Sequence, residues 1–575
     1  MTTIPIIVKH QGKKYNVDLD PESTGEVLRT QLFSLTGVEP ERQTVLIKGG
    51  RLKDDTDMAK LAASTKPNQV FLMTGSSSDK GKMVAPTEKP RFLEDMTEAE
   101  LARSEGATPA GLQNLGNTCY LNSTLQVLKS MPEMQQQLTS YKDTPGGGNL
   151  QNLAQYGLGG LGSSGDLVGS LRDLYRQMSE TQEGFPPMML LNALRTVYPQ
   201  FAQKSRTGQG YAQQDAEEAW SQIIHQIRDR LKVQGDAAGA ASLGFVENYM
   251  EGSLETALNP PEAAAEMEEV KNSSEPFLKL NCHIDQSINH LSEGLKAGLT
   301  EQIEKRSEAL GADAMYTKTS KISRLPKYLT VHFVRFFWRK DVQKKAKIMR
   351  KVVFPEELDV LEYCTEDLRK RLIPVRDKVR DVRKDESDME RARKRQKIAH
   401  KQEEDRKHDE AMGVEAAPIA KLKEAKEQKE KKDEPRGGDL DVYKTDAEYE
   451  AEKEATLKQA RKDLLAAIDP ELAADDGANK SGLYELRGVI AHQGASADSG
   501  HYTSFVKKEG RMVDDAKAPG GKRKEEDGKW WWFNDDKVSE VEWERINQLA
   551  GGGEFASALI LLYRAIDLPT KEDIE

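Results

Sequence analysis

The sequence predicts an α+β protein with a small N-terminal unit and a larger C-terminal unit. Three observations lead to this fold class. In residues 1–75, strand-like runs with alternating apolar residues flank a single helical run. A second helical run follows Cys119, and long strand-like runs lie between residues 483 and 541. The length of 575 residues allows two or three domains.

The N-terminal unit begins with two predicted strands. In "IPIIVKH", the side chains of Ile4, Ile6 and Val8 alternate onto one face. The dipeptide "QG" joins this run to "KKYNVDL". Two short runs around a two-residue turn predict a β-hairpin.

A helix and further strands complete this unit. In "STGEVLRTQLFSLTG", Thr24 can cap the helix start and Gly37 can end the helix. The apolar residues between them fall at helical spacing, at Val27, Leu28, Leu32 and Leu35. The runs "RQTVLIKGGRLKDD" and "QVFLMTG" predict two more strands. This order of elements predicts a β-grasp-like domain over residues 1–75.

Residues 1–75 resemble ubiquitin across their whole length. The resemblance places Leu46 at the centre of the patch through which ubiquitin docks its partners. The segment "FLMTGSSSDKGK" has no terminal Gly-Gly pair, so we expect a fixed docking module rather than a conjugated one. The alternative is that Val45 and Ile47 are core residues and Leu46 is an ordinary exposed apolar residue.

Two polar regions divide the remaining chain. Residues 76–104 contain few apolar residues and predict a flexible linker that ends in a short helical piece. Residues 375–480 carry mixed charges with almost no aromatic residues. This pattern is typical of either a solvated helix or a disordered arm, and both alternatives stay open for this charged insertion.

Composition excludes several classes of function. A formal net charge of −11, with 31% charged residues, argues against general binding of nucleic acid. No apolar run reaches membrane-spanning length and the N-terminus lacks the layout of a signal peptide, so we expect an intracellular chain. Cys119, Cys282 and Cys364 lie too far apart in sequence for a Cys-x-x-Cys zinc site. We therefore expect no metal and no cofactor.

Cys119 is the first candidate for chemistry. It begins the run "CYLNSTLQVLKSMP", in which Leu121, Leu125 and Leu128 share one helical face. Unpaired backbone N–H groups and the helix dipole favour a thiolate at this position, so we expect a lowered pKa for the Cys119 thiol. The alternative is a structural cysteine, because a free cysteine is usually a small buried apolar residue.

A possible base and an orienting group lie near the C-terminus. His501 stands at the mouth of the predicted strand in "SGHYTSFVKK", and "KWWWFNDDKVSEV" closes another strand on Asn534, Asp535 and Asp536. If these strands pair antiparallel, a polar side chain just after Phe533 can reach the imidazole of His501. A thiol, a base and a group that orients the base are what nucleophilic cysteine catalysis requires. The alternative is that Asn-Asp-Asp only forms a turn.

Five motifs in order carry a resemblance to a known family. They are "GLQNLGNTCYLNSTLQVL", "YAQQDAEEAW", "LPKYLTVHFVRFF", "GVIAHQGASADSGHYTSFVK" and "WWWFNDDKV". In this order they resemble the ubiquitin-specific protease family of papain-like cysteine peptidases, over residues 105–568 without the charged insertion. The resemblance implies a catalytic domain with a helical thumb, a mixed palm and β fingers. With a ubiquitin-like domain at the N-terminus, the chain resembles the proteasome-associated branch of that family.

The resemblance assigns the catalytic roles. It makes Cys119 the nucleophile, His501 its base and Asn534 the orienting residue, with Asp535 beside Asn534 sharing that role. It places Asn114 where an amide helps to stabilise the oxyanion that forms during attack. The implied activity is hydrolysis of the isopeptide bond after the C-terminal Gly of ubiquitin.

The resemblance also assigns substrate contacts. Asp215 and Glu218 match acidic positions that hold the basic tail of ubiquitin, and Gln214, Gly500 and Tyr502 are further expected contacts. The alternative for the acidic pair is an ordinary helix start with acidic residues in its first turn. The segments "FFWRKDVQKKAKI" and "HQGASADSGHY" fall where two loops overhang the tail channel. We therefore expect low activity in the free protein and higher activity on the proteasome.

The expected partners are ubiquitin, ubiquitin conjugates and the regulatory particle of the 26S proteasome, bound through the ubiquitin-like domain. We expect a monomer in the cytoplasm and nucleus, without a membrane partner. One rival hypothesis is a non-catalytic scaffold that binds ubiquitin and the proteasome. A second is a cysteine hydrolase for another small modifier, and a third makes the N-terminal domain an autoinhibitory lid.

Overall fold

The computed structural model divides into two compact units, Met1–Asp95 and Met96–Glu575. It describes residues 3–10, 13–47, 50–54, 56–67, 69–74, 96–104, 106–142, 166–205, 210–231, 244–264, 266–339, 344–411, 446–496, 499–514, 522–552 and 555–570. Most of the predicted linker, residues 76–95, lies outside the described residues. Its expected helical end is present as a helix with a capping box between Thr97 and Glu100.

The N-terminal unit is a β-grasp, which confirms the predicted fold. Its elements are β1 (Ile4–His10), β2 (Lys13–Leu19), α1 (Gly25–Thr36), β3 (Thr44–Ile47), β4 (Gly50–Arg51), α2 (Met58–Ser64) and β5 (Gln69–Thr74). The sheet order is β2-β1-β5-β3-β4, and β1 pairs parallel with β5. Ile6 and Val8 point into the core, as the alternation in the first strand predicted.

Helix α1 differs from its prediction in two respects. Thr24 occupies the N-cap position, but its side chain makes no capping hydrogen bond. Leu28 and Leu32 are buried, whereas Val27 and Leu35 stay 46% and 48% exposed. The buried stripe is therefore narrower than the apolar spacing indicated, because α1 contacts the sheet along one side only. Gly37 ends the helix with a φ of 70°, as predicted.

The second unit begins with a group of helices that includes the helix of Cys119. These helices are α3 (Glu98–Arg103), α4 (Cys119–Lys129), α5 (Pro132–Ser140), α6 (Leu167–Met178), α7 (Met188–Val197), α8 (Ala216–Arg230) and α9 (Phe245–Tyr249). Every residue of α4 from Cys119 to Leu128 is buried. Helix α4 is therefore the centre of this helical layer, and its position is set by packing on all sides.

Two sheets follow in the chain. The strands and the remaining short helix of this region are β6 (Gly252–Asn259), β7 (Lys271–Phe277), β8 (Leu280–His283), α10 (Leu291–Gly298), β9 (Thr300–Arg306), β10 (Asp313–Arg324), β11 (Tyr328–Val334), β12 (Phe336–Arg339), β13 (Lys344–Lys347) and β14 (Glu357–Asp359). One sheet has the order β7-β6-β10-β9 and is largely solvated. Strands β12 and β13 form a separate antiparallel hairpin.

The C-terminal part supplies the larger sheet. Its elements are α11 (Glu366–Ala411), α12 (Asp446–Ala466), α13 (Pro470–Ala474), β15 (Leu483–Ser496), β16 (Ser499–Lys507), β17 (Arg511–Asp514), β18 (Lys522–Glu525), β19 (Trp530–Asn534), β20 (Lys537–Val541), α14 (Trp543–Asn547) and β21 (Ser557–Ala565). The sheet runs β20-β19-β16-β15-β21-β11-β8. Helix α4 packs against β15, β16 and β19, so the cysteine helix and the strands of His501 and Asn534 share one interface.

The charged insertion has a base that belongs to the core. Val375 and Val379 on α11 are buried together with Leu464 on α12 and with Ile566 after β21. Ion pairs join Arg461 to Glu386 at 2.7 Å between the two helices. Residues 412–445 lie outside the described part of the chain. Residues 366–411 and 446–466 are helical, as one of the two alternatives predicted, and the first helix begins before residue 375.

This packing gives a first prediction. Val379→Asp should lower the free energy of unfolding by roughly 3 kcal/mol or more, because it buries an unpaired carboxylate among apolar side chains. Lys384→Asp, at an exposed position of the same helix, is the matched control and should change it by less than about 1 kcal/mol. Denaturant unfolding measures both. An equally small effect of both variants would show that α11 contributes nothing to the core.

Candidate active site

The loop before Cys119 is shaped by its own side chains. The side-chain Oδ1 of Asn114 accepts hydrogen bonds from the backbone N–H groups of Gly116 and Thr118 at 3.0 and 3.2 Å. Gly116 and Asn117 adopt φ values of 93° and 55°, a left-handed conformation that Gly and Asn reach more easily than other residues. The loop therefore turns tightly and delivers Cys119 as the first residue of α4, which confirms the predicted position at a helix start.

His501 and Asn534 meet across neighbouring strands. The Asn534 Oδ1 atom accepts a hydrogen bond of 2.6 Å from Nε2 of His501. An amide oxygen can only accept, so Nε2 carries the proton and Nδ1 is left with a lone pair. Strands β16 and β19 pair antiparallel from Ser504 and Phe533 onward, as the sequence required for this contact. The imidazole is thus held in one tautomer with its basic nitrogen free.

Asp535 connects this pair to the cysteine loop. Its carboxylate accepts hydrogen bonds from Nδ2 of Asn114 at 3.0 Å and from Nδ2 of Asn122 at 2.8 Å. One of its oxygens lies 4.0 Å from Nε2 of His501. Its backbone oxygen also accepts the N–H of Leu112 at 2.9 Å. Asp535 is therefore the residue at which the cysteine loop, the cysteine helix and the histidine strand meet.

Two glycines allow the turn of Asp535 and Asp536 to come this close. A Cβ atom at Gly111 would stand 2.5 Å from the backbone oxygen of Asp536, and one at Gly184 would stand 2.6 Å from the Asp536 Cβ. Asp535 itself has a φ of 53°, which a two-residue hairpin turn requires and which Asp tolerates. Any side chain at position 111 would therefore move the turn away from α4.

The Cys119 thiol is less acidic than the sequence predicted. The side chain is buried, and burial raises the pKa of the thiol to about 11, with the charge of Asp535 acting in the same direction. Backbone N–H groups of Tyr502 and Tyr120 lower the pKa but do not compensate for burial. No hydrogen bond joins the Cys119 sulfur to His501 among the described residues. The expected lowering of the pKa is wrong for this conformation, in which the thiol is protonated.

The predicted acidic contacts lie at the start of α8. Asp215 is the N-cap, and its carboxylate accepts the backbone N–H of Glu217 at 2.9 Å. Glu218 is half-buried in the first turn. In Gln214, the buried Nε2 atom has no hydrogen-bond partner among the described groups. Asp215 thus caps the helix, in line with the alternative of an ordinary helix start. In contrast, the side-chain amide nitrogen of Gln214 has a hydrogen-bond donor without an acceptor among the described groups.

Gly500 and Tyr502 flank His501 on β16. Gly500 is exposed and has a φ of 116°, and a Cβ there would approach the backbone oxygen of Gln493 to 2.2 Å. The Tyr502 ring is buried against the ring of His492, with 4.6 Å between centroids. A substrate can therefore reach Gly500 but not the Tyr502 side chain in this conformation. The part of Tyr502 nearest to Cys119 is its backbone N–H.

The two segments expected to overhang the tail channel are hairpins that touch each other. The first is the β12–β13 hairpin, and the second is the extension of β15 and β16 through the pair Ser496 and Ser499. Lys347 donates to the backbone oxygen of His492 at 2.5 Å, and the Phe336 ring stacks edge-on against His492. The second segment is therefore mainly strand rather than the irregular loop predicted, because its backbone groups pair across the hairpin.

Sequence reasoning missed Asn122. It lies almost one turn beyond Cys119 on α4, is 2% exposed, and donates to Asp535. A polar amide on the same face as a candidate nucleophile, three residues further along a helix, was an available signal. In the described residues no cluster of His, Cys, Asp and Glu is suited to hold a metal ion. None of the described helices combines the length and apolar character needed to cross a bilayer.

Comparison with known proteins identifies the same two domains. Residues 110–563 match the family described as ubiquitin carboxyl-terminal hydrolase. Residues 6–74 match the ubiquitin family. The first match contains Cys119, His501, Asn534 and Asp535, and the second contains Leu46.

Three relatives match this chain over nearly the whole length of both proteins. Ubiquitin carboxyl-terminal hydrolase 6 of Schizosaccharomyces pombe is 39% identical, over 98% of this chain and 99% of its own. Ubiquitin carboxyl-terminal hydrolase 6 of Arabidopsis thaliana is 35% identical over 97% and 98%. Ubiquitin carboxyl-terminal hydrolase 14 of Caenorhabditis elegans is 30% identical over 98% and 94%. The chain belongs to the ubiquitin carboxyl-terminal hydrolase family, as a cysteine-type deubiquitinase with an N-terminal ubiquitin-like domain.

Proposed function

We propose that Cys119, His501 and Asn534 form the catalytic centre of a deubiquitinase that acts on proteasome-bound conjugates and recycles ubiquitin. The observation that carries this proposal is the 2.6 Å hydrogen bond from His501 to Asn534, which leaves the basic nitrogen of His501 free beside the cysteine helix. The bond cleaved is the isopeptide bond after the C-terminal Gly of ubiquitin.

The reaction begins with transfer of the Cys119 thiol proton to Nδ1 of His501. The sulfur attacks the carbonyl carbon of the terminal Gly, and the negative charge moves onto the carbonyl oxygen. Asn114 is suited to stabilise that oxygen, because Nδ2 carries two hydrogens and only one is directed at Asp535. Helix-start N–H groups near the sulfur are further donors.

His501 then completes both halves of the cycle. The imidazolium donates its proton to the departing lysine amine, the carbon–nitrogen bond breaks, and a thioester to Cys119 remains. A water molecule loses a proton to His501 and attacks the thioester. The carbon–sulfur bond breaks, ubiquitin leaves with a carboxylate, and the proton returns to the sulfur.

Asp535 has two opposed electrostatic effects in this scheme. Its carboxylate lies 4.0 Å from Nε2 of His501, where it stabilises the imidazolium that forms during attack. The same charge disfavours an isolated thiolate at Cys119. The protein therefore favours concerted transfer of the proton to His501 over a resting thiolate. Asn534 supplies the tautomer control without adding another charge.

Access to the centre supports low activity in the free protein. The β12–β13 hairpin and the extended β15–β16 hairpin are joined through Lys347, Phe336 and His492, next to Tyr502, whose N–H lies at the Cys119 sulfur. A ubiquitin tail that enters between them has to displace side chains that are already packed. We infer that binding to the proteasome favours the displaced arrangement, with Asp215, Glu218 and Gln214 along the tail.

The N-terminal domain carries a surface suited to docking. Leu46 is 42% exposed and lies opposite Leu72 on β5, which is also exposed, together with Val70. Val45 is buried, as the alternative for this strand allowed. Three exposed apolar side chains on one sheet face are typical of a protein interaction site. We propose that this face binds the regulatory particle of the 26S proteasome. We also propose that the protein acts as a monomer and is present in the cytoplasm and nucleus.

The first test of the catalytic assignment is Cys119→Ala. Hydrolysis of a fluorogenic ubiquitin substrate should fall by at least about 10,000-fold, because the nucleophile is lost, while ubiquitin binding persists. Cys282→Ala removes another buried thiol and should retain turnover. Residual cleavage by purified Cys119→Ala at the wild-type rate would refute the assignment.

The protonated thiol predicts an unusual pH dependence of alkylation. In the free protein, the iodoacetamide rate at Cys119 should rise about tenfold per pH unit from pH 7 to pH 10, because only the thiolate reacts and its pKa is about 11. Mass spectrometry resolves Cys119 from Cys282 and Cys364, whose pKa values burial raises to about 12 and which should react more slowly. A plateau below pH 9 at Cys119 would contradict the prediction.

Docking and activation can be tested together. Leu46→Asp should weaken co-purification with 26S proteasome by roughly tenfold or more, since it places a charge in an apolar interface. It should also abolish the proteasome-dependent rise in hydrolysis of a fluorogenic ubiquitin substrate. Val27→Asp changes an equally exposed apolar residue on α1 and is the control. Equal rates for wild type with and without proteasome would exclude activation, and undiminished binding of Leu46→Asp would exclude this docking face.

A further inference from the structure

One cavity is bordered by the same elements that carry the catalytic residues, but at a different place on them. It is open to solvent, has a volume of about 530 Å³ and is bordered by the C-terminal end of α4, the start of α5 and the strands β15, β16, β19 and β21. None of Cys119, His501, Asn534 and Asp535 lines it. The proposed function leaves this cavity unexplained.

The charged side chains around this cavity are mostly basic. Glu509 is the single acidic residue among those that line it in the described part of the chain, whereas the basic ones are Lys129, Arg487, Lys507, Lys508 and Arg564. This concentration of cationic side chains occurs in a chain with a formal net charge of −11. The residues that line the cavity are therefore richer in basic side chains than the chain as a whole.

Some of these basic groups already have carboxylate partners. Lys507 pairs with Glu356 at 3.0 Å and also with Glu485, and Lys508 pairs with Asp527 at 3.0 Å and with Glu540 at 2.5 Å. Arg487 pairs with Glu485 at 3.3 Å and with Glu526 at 3.7 Å, and Arg564 pairs with Asp567 at 2.8 Å. These carboxylates do not line the cavity. Four of the five basic side chains are therefore held by carboxylates that lie outside the cavity lining, and the donors without an acceptor are confined to Lys129, Arg487 and Arg564.

The unpartnered donors point to an anion. Among the described residues, the Lys129 ammonium has neither a hydrogen bond nor an ion pair, and burial without a partner lowers its pKa to about 8. Nη1 of Arg487 and Nε of Arg564 are buried and have no hydrogen-bond acceptor. Buried donors without acceptors are unfavourable, so a bound anion would remove this penalty.

Part of the cavity lining is apolar. It contains Phe533, which is almost fully buried, and the half-buried side chains of Trp531 and Val506. The Lys508 ammonium lies 4.7 Å from the centroid of a Trp531 ring. A site that combines cationic donors with aromatic surface suits a ligand that has a charged head and a planar body.

We propose that this cavity binds a small organic phosphate that carries a planar apolar group. A phosphate presents several acceptor oxygens, which matches donors on Lys129, Arg487 and Arg564 better than a single-point anion would. The cavity volume of about 530 Å³ is within the range of small-molecule sites. This is a site separate from the one that binds the ubiquitin tail.

The occupant would touch every element that positions the catalytic centre. Lys129 ends the helix that Cys119 begins, and Val506 lies on the strand of His501. Phe533 directly precedes Asn534. Gln126, another lining residue, donates to the backbone oxygen of Ala110 in the cysteine loop at 2.9 Å. A ligand here is therefore held by the same framework that aligns the thiol with the imidazole.

Calorimetric titration of the full chain tests the proposal, with 1-naphthyl phosphate as the probe. We expect saturable binding at one site, weaker binding of inorganic phosphate and no detectable binding of neutral 1-naphthol. Lys129→Met keeps the aliphatic stem and should weaken binding of 1-naphthyl phosphate by roughly tenfold or more. Lys296→Met is the matched control, because Lys296 also stands in the last turn of a helix but outside the cavity.

A second variant keeps the test decisive if Lys129→Met is unstable. Gln136 is exposed and lines the cavity. Gln136→Glu introduces a negative charge on a side chain of similar size without altering the core, and it should weaken binding because it repels the phosphate. Thermal unfolding verifies that each variant is folded. The proposal is overturned if 1-naphthyl phosphate does not bind the wild type, if 1-naphthol binds as tightly, or if a folded Lys129→Met or Gln136→Glu binds with unchanged affinity.

Discussion

The catalytic centre depends on the two hydrogen bonds that the Asp535 carboxylate accepts from the side-chain amides of Asn114 and Asn122. Asn114 and Asn122 hold this carboxylate from the cysteine side, and the turn of Asp535 holds Asn534 against His501. The residues that Asp535 joins are up to 421 positions apart in sequence. Charge-assisted hydrogen bonds to a largely buried carboxylate are strong enough to hold the larger sheet and the helical layer in a fixed relative position.

The same arrangement explains how a buried cysteine can serve as a nucleophile. Burial and the charge of Asp535 keep the Cys119 thiol neutral, while the nearby N–H groups favour its ionised form only in part. In the proposed mechanism, ionisation therefore depends on simultaneous proton uptake by His501, whose tautomer is set by Asn534. A neutral thiol is also the less reactive form towards other electrophiles. The Cys119 thiol therefore stays unreactive until a substrate carbonyl and the imidazole are both next to it.

The two sides of the cysteine helix have different tasks. Its first residue faces the centre, and its last turn closes a cavity in which cationic side chains lack partners on one side. Strands β16 and β19 likewise contribute to both places. Because protein interiors are close-packed, filling such a cavity changes the packing of all elements that border it. The palm thus offers a physical route from a small ligand to the alignment of the thiol and the imidazole.

The sequence by itself determined the β-grasp of the first domain, the helix that begins at Cys119 and the strands that carry His501 and end at Asn534. These follow from local patterns, since alternation, helical spacing and turn residues act over a few positions. Only the tertiary structure decided the protonation of Cys119, the contacts of Asn122, the close approach at Gly111, the exposure of Val27 and the basic cavity. Each of these depends on which distant segments come into contact, and burial and electric fields inside a protein are properties of that contact, not of neighbouring residues.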